Sequence, residues 1–229
     1  ILELTTDKDG TADNNAQSLT MTDSQVDMLT IINANGSDTI TLSDVATSDM
    51  LTNTANTVIN GKLTFVLANT ANNALTLVDA NMDDTNDDLV IDGSNLTGVN
   101  ALTFDGSLES NAEMSITGGS AADTISSGGG DDTITGGAGS DSINAGGGDD
   151  LLVFSTNAHL AGDVTLIGGS GTDTIRLETG TSALSIDESS FEDATQFEAL
   201  HFNGTGSHNV SFASDIDGGY ANGITMTIN

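Results

Sequence analysis

One carboxylate recurs at a fixed interval in the middle of the chain. Aspartates stand nine residues apart from residue 123 to residue 150, and a further one belongs to a related segment downstream. The set is Asp123, Asp132, Asp141, Asp150 and Asp173. Each follows a glycine-rich run and precedes a large aliphatic residue by two positions. Carboxylates repeated in this way are hard oxygen ligands, and they favour the binding of a divalent cation such as Ca²⁺.

The aspartates belong to five copies of a nine-residue pattern, GGxGxDxUx, in which U is a large aliphatic residue. The copies are 118–126, 127–135, 136–144, 145–153 and, after an interruption of 14 residues, 168–176. Two copies match every defined position, and the other three each lack one glycine, at Ala121, Ser127 and Ala145. Four contiguous copies favour a repeat architecture over isolated solvated turns.

The spacing within each nonad predicts the elements that position the carboxylate. Positions one to six are rich in glycine, which tolerates positive φ and lets backbones approach closely. Positions seven to nine form a short strand with one inward aliphatic side chain. One such unit cannot bury its aliphatic residue alone, whereas stacked copies can, with two nonads per turn of a solenoid. The stacked carboxylates would then repel one another unless a cation lay between them. Zinc or copper would require His or Cys, which the block lacks.

The nonads resemble those of the RTX family, the calcium-binding β-roll repeats of secreted bacterial proteins. The resemblance implies an all-β fold: a right-handed parallel β-solenoid containing a calcium-binding β-roll. It also implies that each Ca²⁺ binds between loops two nonads apart, on one side of the roll. The implied pairs are Asp123 with Asp141, Asp132 with Asp150, and Asp150 with Asp173. The third pair requires the insert 154–167 to replace one half-turn.

The same resemblance implies further calcium ligands in the loops. Backbone carbonyls near positions one, three and five are expected to contribute, at Gly118, Ser120, Ser127, Gly129, Gly136, Ala138, Ser140, Ala145 and Gly147. Asp131 and Asp149, at position five, are expected to add charge or ligands.

Strand signals dominate outside the block. Alternating runs such as 63–67 and 224–228 recur between glycine turns, which predicts a continuing solenoid with longer turns. The absence of proline fits strands that are paired on both sides. We therefore divide the chain into a Thr/Asn-rich β-solenoid (1–117), the β-roll (118–176) and a C-terminal solenoid continuation or cap (177–229).

Two fragments before the block echo the nonad. Residues 33–41 place Asp38 in register with the repeated aspartates, and Asp87 and Asp88 precede an aliphatic pair. Each fragment is either a decayed repeat or an isolated calcium loop, and a solvated acidic turn is the alternative for Asp87 and Asp88.

Residues 187–200 contain the strongest helical spacing in the chain. The segment is predicted either to form a helix or to act as a loop that fills the core with Phe191 and Phe197. Residues 197–208, which contain a Phe-Glu-x-Leu turn, resemble bacterial RTX-type surface-layer proteins.

Composition excludes several classes of partner. The 229 residues include 34 Asp and Glu against 3 Lys and Arg, a formal net charge of −31. Binding to nucleic acid and to anionic membranes requires clustered basic residues, so both kinds of partner are excluded. No apolar run approaches the ~18 residues of a membrane span, so no direct membrane insertion is expected. A disulfide scaffold is excluded because the chain has no Cys.

No catalytic constellation stands out. The sequence contains neither HExxH nor G-x-S-x-G. The three histidines, His159, His201 and His208, are scattered and are interpreted as surface or strand-edge residues. We therefore expect a protein that is not an enzyme.

The leading interpretation is a structural extracellular protein of a surface layer or filament, secreted by a type I route and folded by Ca²⁺. Self-assembly, with contacts bridged by calcium, is the expected partnership. The alternatives are an adhesin or fibre stalk whose loops bind a surface glycan, and the C-terminal secretion and folding domain of an RTX exoenzyme.

Overall fold

The computed structural model describes residues 2–3, 18–26, 31–46, 58–78, 82, 88–180, 184–191, 193–204, 208–211 and 225–228. The strands are β1 (Leu2–Glu3), β2 (Ser18–Met21), β3 (Ile31–Leu42), β4 (Val58–Val66), β5 (Asn73–Thr76), β6 (Asp88–Asp92), β7 (Leu102–Asp105), β8 (Glu113–Thr117), β9 (Thr124–Gly129), β10 (Thr133–Thr135), β11 (Ser142–Gly147), β12 (Leu151–Phe154), β13 (Thr165–Ser170), β14 (Thr174–Gly180), β15 (Leu184–Asp187), β16 (Ala194–Thr195), β17 (Ala199–Gly204), β18 (His208–Ser211) and β19 (Thr225–Ile228). Two short helices, α1 (Asp23–Val26) and α2 (Asn157–Leu160), and a 3₁₀ turn at Glu188–Phe191 accompany them.

The strands form two parallel sheets that the chain visits in turn. The major sheet has the order β1-β3-β4-β6-β8-β10-β12-β14-β17-β19, with β2 also paired to β3. The minor sheet has the order β16-β13-β11-β9-β7-β5, and β15 pairs with β18 separately. From β5 to β14 consecutive strands alternate between the two sheets, so each turn of the coil contributes one strand to each. The prediction of an all-β, parallel β-solenoid with a β-roll is confirmed.

A ladder of large apolar side chains lines the inside of each sheet. In the major sheet, the paired residues are Ile40, Phe65, Ile91, Ile116, Ile134, Leu152, Ile175 and Leu200. In the minor sheet, they are Leu75, Phe104, Ile125, Ile143 and Leu166. All of these side chains are buried. The ladder forms because side chains alternate between the two faces of a strand, so every second residue points into the coil.

The insert between the fourth and fifth nonads completes a turn. It contains α2 and leads into β13, which pairs in parallel with β11 of the minor sheet. Leu160 of α2 is buried with the core. The insert therefore replaces one half-turn, as the proposed facing of Asp150 and Asp173 required.

A helix over 187–200 is wrong. The described residues of this segment form the four-residue 3₁₀ turn at Glu188–Phe191, followed by β16 and the start of β17. Phe191 and Phe197 are buried, as the alternative of a core-filling loop predicted. Phe191 ends the 3₁₀ turn and Phe197 lies in the loop before β17, and both side chains are buried in the same core.

The major sheet continues across the predicted boundaries at residues 117 and 176. At the first boundary β8 pairs with both β6 and β10, and at the second β14 pairs with both β12 and β17. The three-part division of the chain stays a prediction. Among the residues with described structure, no helix has the length and apolarity needed to cross a bilayer.

The core ladder generates a first prediction. Phe104→Ala removes a wholly buried ring from the minor sheet. We expect it to lower the free energy of unfolding by about 3–5 kcal/mol, because the lost burial and the remaining cavity add together. Leu108→Ala is the control, since Leu108 is 63% exposed, and its effect should stay within about 0.5 kcal/mol. Urea denaturation at saturating Ca²⁺ measures both, and equal effects of the two variants would contradict the assigned core.

Candidate metal centre

The glycine-rich loops lie directly on one another. A side chain at Gly146 would collide with the carbonyl oxygen of Gly128, and one at Gly137 would collide with the carbonyl of Gly119. Both glycines also have positive φ, 99° and 102°. Glycine is therefore required twice over, for its backbone conformation and for the close approach of the loop one turn earlier. The result is a stack in which carbonyl oxygens of successive loops lie close together.

A line of carboxylates follows the loops that lead into the minor sheet, which we call the minor edge. The Oδ1 atom of Asp123 accepts a hydrogen bond from the Leu102 N–H at 2.7 Å. Asp141 Oδ1 accepts from the Asp123 N–H at 2.8 Å, and Asp163 Oδ1 accepts from the Asp141 N–H at 2.9 Å. Asp123 and Asp141 are thus neighbours across one turn, as the resemblance to RTX repeats implied, and Asp163 continues the line.

A second line follows the loops that lead into the major sheet, the major edge. Asp150 Oδ1 accepts from the Asp132 N–H at 2.8 Å, and Asp173 Oδ1 accepts from the Asp150 N–H at 2.9 Å. Glu198 extends this line, because its Oε2 accepts from the Asp173 N–H at 2.8 Å. The implied pairs on this edge are therefore neighbours.

Each aspartate in the two lines is buried, yet only part of its hydrogen-bonding capacity is used. The Oδ2 atoms of Asp150, Asp163 and Asp173 are inaccessible and have no hydrogen-bond partner. A buried carboxylate oxygen without a partner is costly in free energy. An oxygen-seeking cation beside these atoms would remove that cost.

The aspartate pKa values respond to this environment. Burial raises the pKa of Asp132 to about 8 and that of Asp163 to about 7. It raises the pKa of Asp141 and of Asp150 to about 6. Backbone N–H donors oppose these shifts, while neighbouring carboxylates add to them. At neutral pH the metal-free lines therefore hold protons that a divalent cation would displace.

The structure brings several of the proposed carbonyl ligands to the carboxylates. A side chain at Gly118 would collide with both Asp123 Oδ2 and the Gly136 carbonyl, so these two oxygens converge on one place. The Ser127 hydroxyl donates to the Ala145 carbonyl at 2.6 Å across one turn of the stack. Ser120, Gly129, Ala138 and Gly147 lie in the same stacked loops, and their part in binding stays a prediction.

Asp131 and Asp149 form an outer, exposed line beside the buried one on the major edge. Asp131 Oδ1 accepts from the Asp149 N–H, and Asp149 Oδ1 accepts from the Thr172 N–H, each at 2.8 Å. Their negative charges raise the pKa of Asp150. They add charge next to the buried line, and direct ligation by them stays a prediction.

The lines do not continue unchanged toward the N-terminus. Asp38 is buried at the equivalent place in the major sheet, but it pairs with Leu63, and Leu89 and Met114 follow in that row. Asp88 forms an ion pair with Lys62 at 3.2 Å. Asp87 lies outside the residues that the structure describes.

The donor set fits calcium. Across the described residues, no three Asp, Glu, His or Cys side chains gather into one cluster. The available ligands are instead pairs of carboxylates with backbone carbonyls, all of them oxygen. Ca²⁺ accepts this mixture in a flexible geometry, whereas sites for softer metals use nitrogen or sulfur.

Comparison with protein families agrees with this geometry. The model of the RTX calcium-binding nonapeptide repeat matches residues 117–152 and 160–182, with four copies. The chain carries RTX calcium-binding nonapeptide repeats. RTX repeats bind calcium, and the proteins that contain them are typically secreted. The matched residues make up about a quarter of the chain. No curated protein and no solved structure gives a significant match.

Sequence analysis missed two carboxylates that continue the lines of aspartates, Asp163 and Glu198. Each has a signal in the sequence, since Asp163 precedes the inward Leu166 by three residues and Glu198 precedes the inward Leu200 by two. An acidic residue two or three positions before a buried aliphatic residue is thus the sequence signal that a carboxylate belongs to one of the lines. The signal was not recognised because the loops before these two residues lack the glycines of the nonad.

Two glycines with positive φ provide a matched test of loop stacking. A side chain at Gly98, with φ 73°, meets open space, whereas one at Gly146 meets the Gly128 carbonyl. Gly98→Ala should cost only the left-handed conformation, about 1–2 kcal/mol. Gly146→Ala should cost clearly more and should raise the Ca²⁺ concentration needed for folding. Urea denaturation and calcium titration check this, and equal costs would show that the loops do not stack as described.

The raised pKa values predict an unusual pH dependence for the metal-free protein. Because the folded-state pKa values lie above the ordinary 3.8, the folded chain binds more protons than the unfolded chain between about pH 4 and pH 8. The stabilisation is complete below the unfolded pKa and is lost as the pH rises through the folded values. The free energy of unfolding should therefore fall across this range.

Saturating Ca²⁺ should abolish this loss, and calcium binding near neutral pH should release protons. The folded fraction of chelator-stripped protein, followed by circular dichroism from about pH 4 to pH 8, together with pH-stat titration in Ca²⁺, measures both effects. A metal-free stability that rises with pH would contradict the assignment of buried, partly protonated aspartates.

Proposed function

We propose that this protein is a structural extracellular element, a calcium-stabilised β-solenoid of a surface layer or filament that has no catalytic role. The observation that carries the proposal is the pair of carboxylate lines, which are buried, continuous and built into the main architecture. A lone calcium site can regulate or anchor a loop. Lines that run along the coil instead couple the ion to the stability of the whole β-roll.

The residues that would hold the ions are the carboxylate pairs of neighbouring turns. On the minor edge these are Asp123 with Asp141. On the major edge they are Asp132 with Asp150 and Asp150 with Asp173. When bound, Ca²⁺ supplies positive charge and coordinates oxygens that have no other partner. The chain itself holds each carboxylate in place through an N–H of the preceding turn.

Export and folding follow from the same balance of charge. In a cytosol poor in calcium, repulsion within a chain of net charge −31 keeps the β-roll unfolded and competent for a type I exporter. Outside the cell, Ca²⁺ at ~10⁻³ M would fill sites of the extracellular class, with Kd about 10⁻⁴–10⁻³ M. Binding to the folded state alone then drives folding by mass action.

The acidic surface makes self-assembly depend on calcium. The two basic side chains with described contacts are already engaged, Lys62 with Asp88 and Arg176 with Glu178. Copies of so acidic a chain repel one another. Contacts between copies would therefore use Ca²⁺ as a bridge, and assembly would depend on calcium in excess of that needed for folding.

Calcium titration of chelator-stripped protein tests the proposal. We expect β-sheet circular dichroism to appear with Ca²⁺ at millimolar concentration or below, followed at higher concentration by light scattering and ordered arrays in electron micrographs. Mg²⁺ should be far weaker, because it demands a tighter octahedral geometry. A folded protein that stays monomeric at every Ca²⁺ concentration would contradict the lattice and would favour a stalk or a folding domain.

Neighbouring aspartates provide a matched control for the folding step. Asp150 is buried in the line, whereas Asp149 is exposed beside it. Asp150→Asn should raise the midpoint of calcium-induced folding by about tenfold or more, equivalent to ~1.4 kcal/mol. Asp149→Asn removes the same charge and should change the midpoint much less. Equal shifts would show that the buried line contributes no more to folding than the exposed Asp149 beside it.

A further inference from the structure

The last described loop of the major edge, 193–198, lacks the nonad but continues the geometry of the repeats. Its strand, β17, pairs with β14 so that Ala199 faces Thr174 and Leu200 faces Ile175. Glu198 consequently stands beside Asp173, where each nonad places its aspartate. The loop lies outside the residues matched by the repeat family.

Glu198 makes the contact that an aspartate makes elsewhere in the line. Its Oε2 accepts the Asp173 N–H at 2.8 Å, just as Asp173 Oδ1 accepts the Asp150 N–H at 2.9 Å. The N–H groups of Glu198 and Ala199 both donate to the Asp173 carbonyl at 3.0 Å. Three hydrogen bonds therefore join Glu198 and Ala199 to Asp173 in the preceding turn.

An independent feature indicates a ligand between these two turns. Asp173 Oδ2 is buried without a hydrogen-bond partner, in a residue that is 0% exposed. A side chain at Gly168 would lie 2.7 Å from this oxygen and would collide with the Gln196 carbonyl. Gly118 has the same surroundings, with Asp123 Oδ2 and the Gly136 carbonyl in these two places. The Gln196 carbonyl thus takes the place of a loop carbonyl from a genuine nonad.

Gln196 also keeps the backbone conformation that the repeats assign to glycine. Its φ is 61°, the single positive value among the non-glycine residues that the structure describes. In the nonads, the residue two positions before the aspartate is a glycine with positive φ at Gly139, Gly148 and Gly171. Gln196 stands two positions before Glu198. The register of β16 with β13 places Gln196 beside Gly168, the first position of the nonad, so this loop reaches its acid in two residues where the nonads use five.

We propose that Asp173, Glu198 and the Gln196 carbonyl bind a further Ca²⁺, which closes the major-edge line beyond the last nonad. The ligands are two carboxylates and a carbonyl from neighbouring turns, the oxygen set that suits this ion. The site rests on the proposed function in that the repeats beneath it bind calcium. Its consequence is specific: the loop 193–198, which carries the core aromatic Phe197, is fastened to the β-roll by an ion.

Counting bound ions tests the site. Wild type and variants are passed through gel filtration in Ca²⁺, and native mass spectrometry of the folded fraction gives the ions per chain. Glu198→Gln should bind one ion fewer than wild type. Glu113→Gln is the matched control, since Glu113 is an exposed glutamate at the start of β8 in the same sheet. It should bind the wild-type number.

The outcomes separate this site from the proposed function. A wild-type count retained by Glu198→Gln overturns the site and leaves the calcium-folded β-roll intact, whereas a wild type without bound calcium overturns the proposed function. If Glu198→Gln yields no folded fraction, Glu198→Asp keeps the charge but shortens the reach to the ion. It should weaken one binding event about tenfold in a calorimetric titration, and an isotherm identical to that of wild type would overturn the site.

Discussion

The β-roll depends on one electrostatic constraint, the stacking of buried carboxylates at intervals of a single turn. Each acid accepts an N–H from its neighbour in the preceding turn, which fixes it in the line, and the remaining oxygen of several members has no protein partner. Without protons or a cation, such a line is strongly repulsive. Calcium is therefore part of the architecture of these loops, and the glycines serve to bring the backbones close enough to share it.

Stabilisation changes character along the coil. In the major sheet, the row that contains Asp132 and Asp150 continues toward the N-terminus as Met114, Leu89 and Leu63, all buried. On the minor edge, the neutral amide of Asn73 accepts the Ala46 N–H at 2.9 Å, in the manner of the aspartates further on. The turns from β4 to β8 thus use apolar burial and a neutral hydrogen bond where the repeats use carboxylates. One fold is maintained by the hydrophobic effect in one part and by ion binding in another.

Carboxylates within strict nonads could be predicted from the sequence, whereas those in irregular loops could not. Asp123 and Asp141 could be paired in advance because the resemblance to RTX repeats implies facing loops two nonads apart, and the period of nine is strict between these two residues. Asp163 and Glu198 were missed because their loops lack the glycines that identify a repeat. The spacing of Phe191 and Phe197 was compatible with a helix, and only the packing of a loop against the core showed otherwise.

The sequence by itself determined the period, the inward aliphatic residue and the chemistry of the ligand, because these follow from which residue types recur and how far apart. Tertiary structure decided which carboxylates outside the period join the lines. An insert that adds a helical turn, or a loop that takes fewer residues to reach Glu198, changes the distance along the chain but preserves the distance between turns. Coordination of an ion depends on the distance between turns, because its ligands come from neighbouring turns. Parallel strand pairing sets that distance, and the local sequence does not encode it.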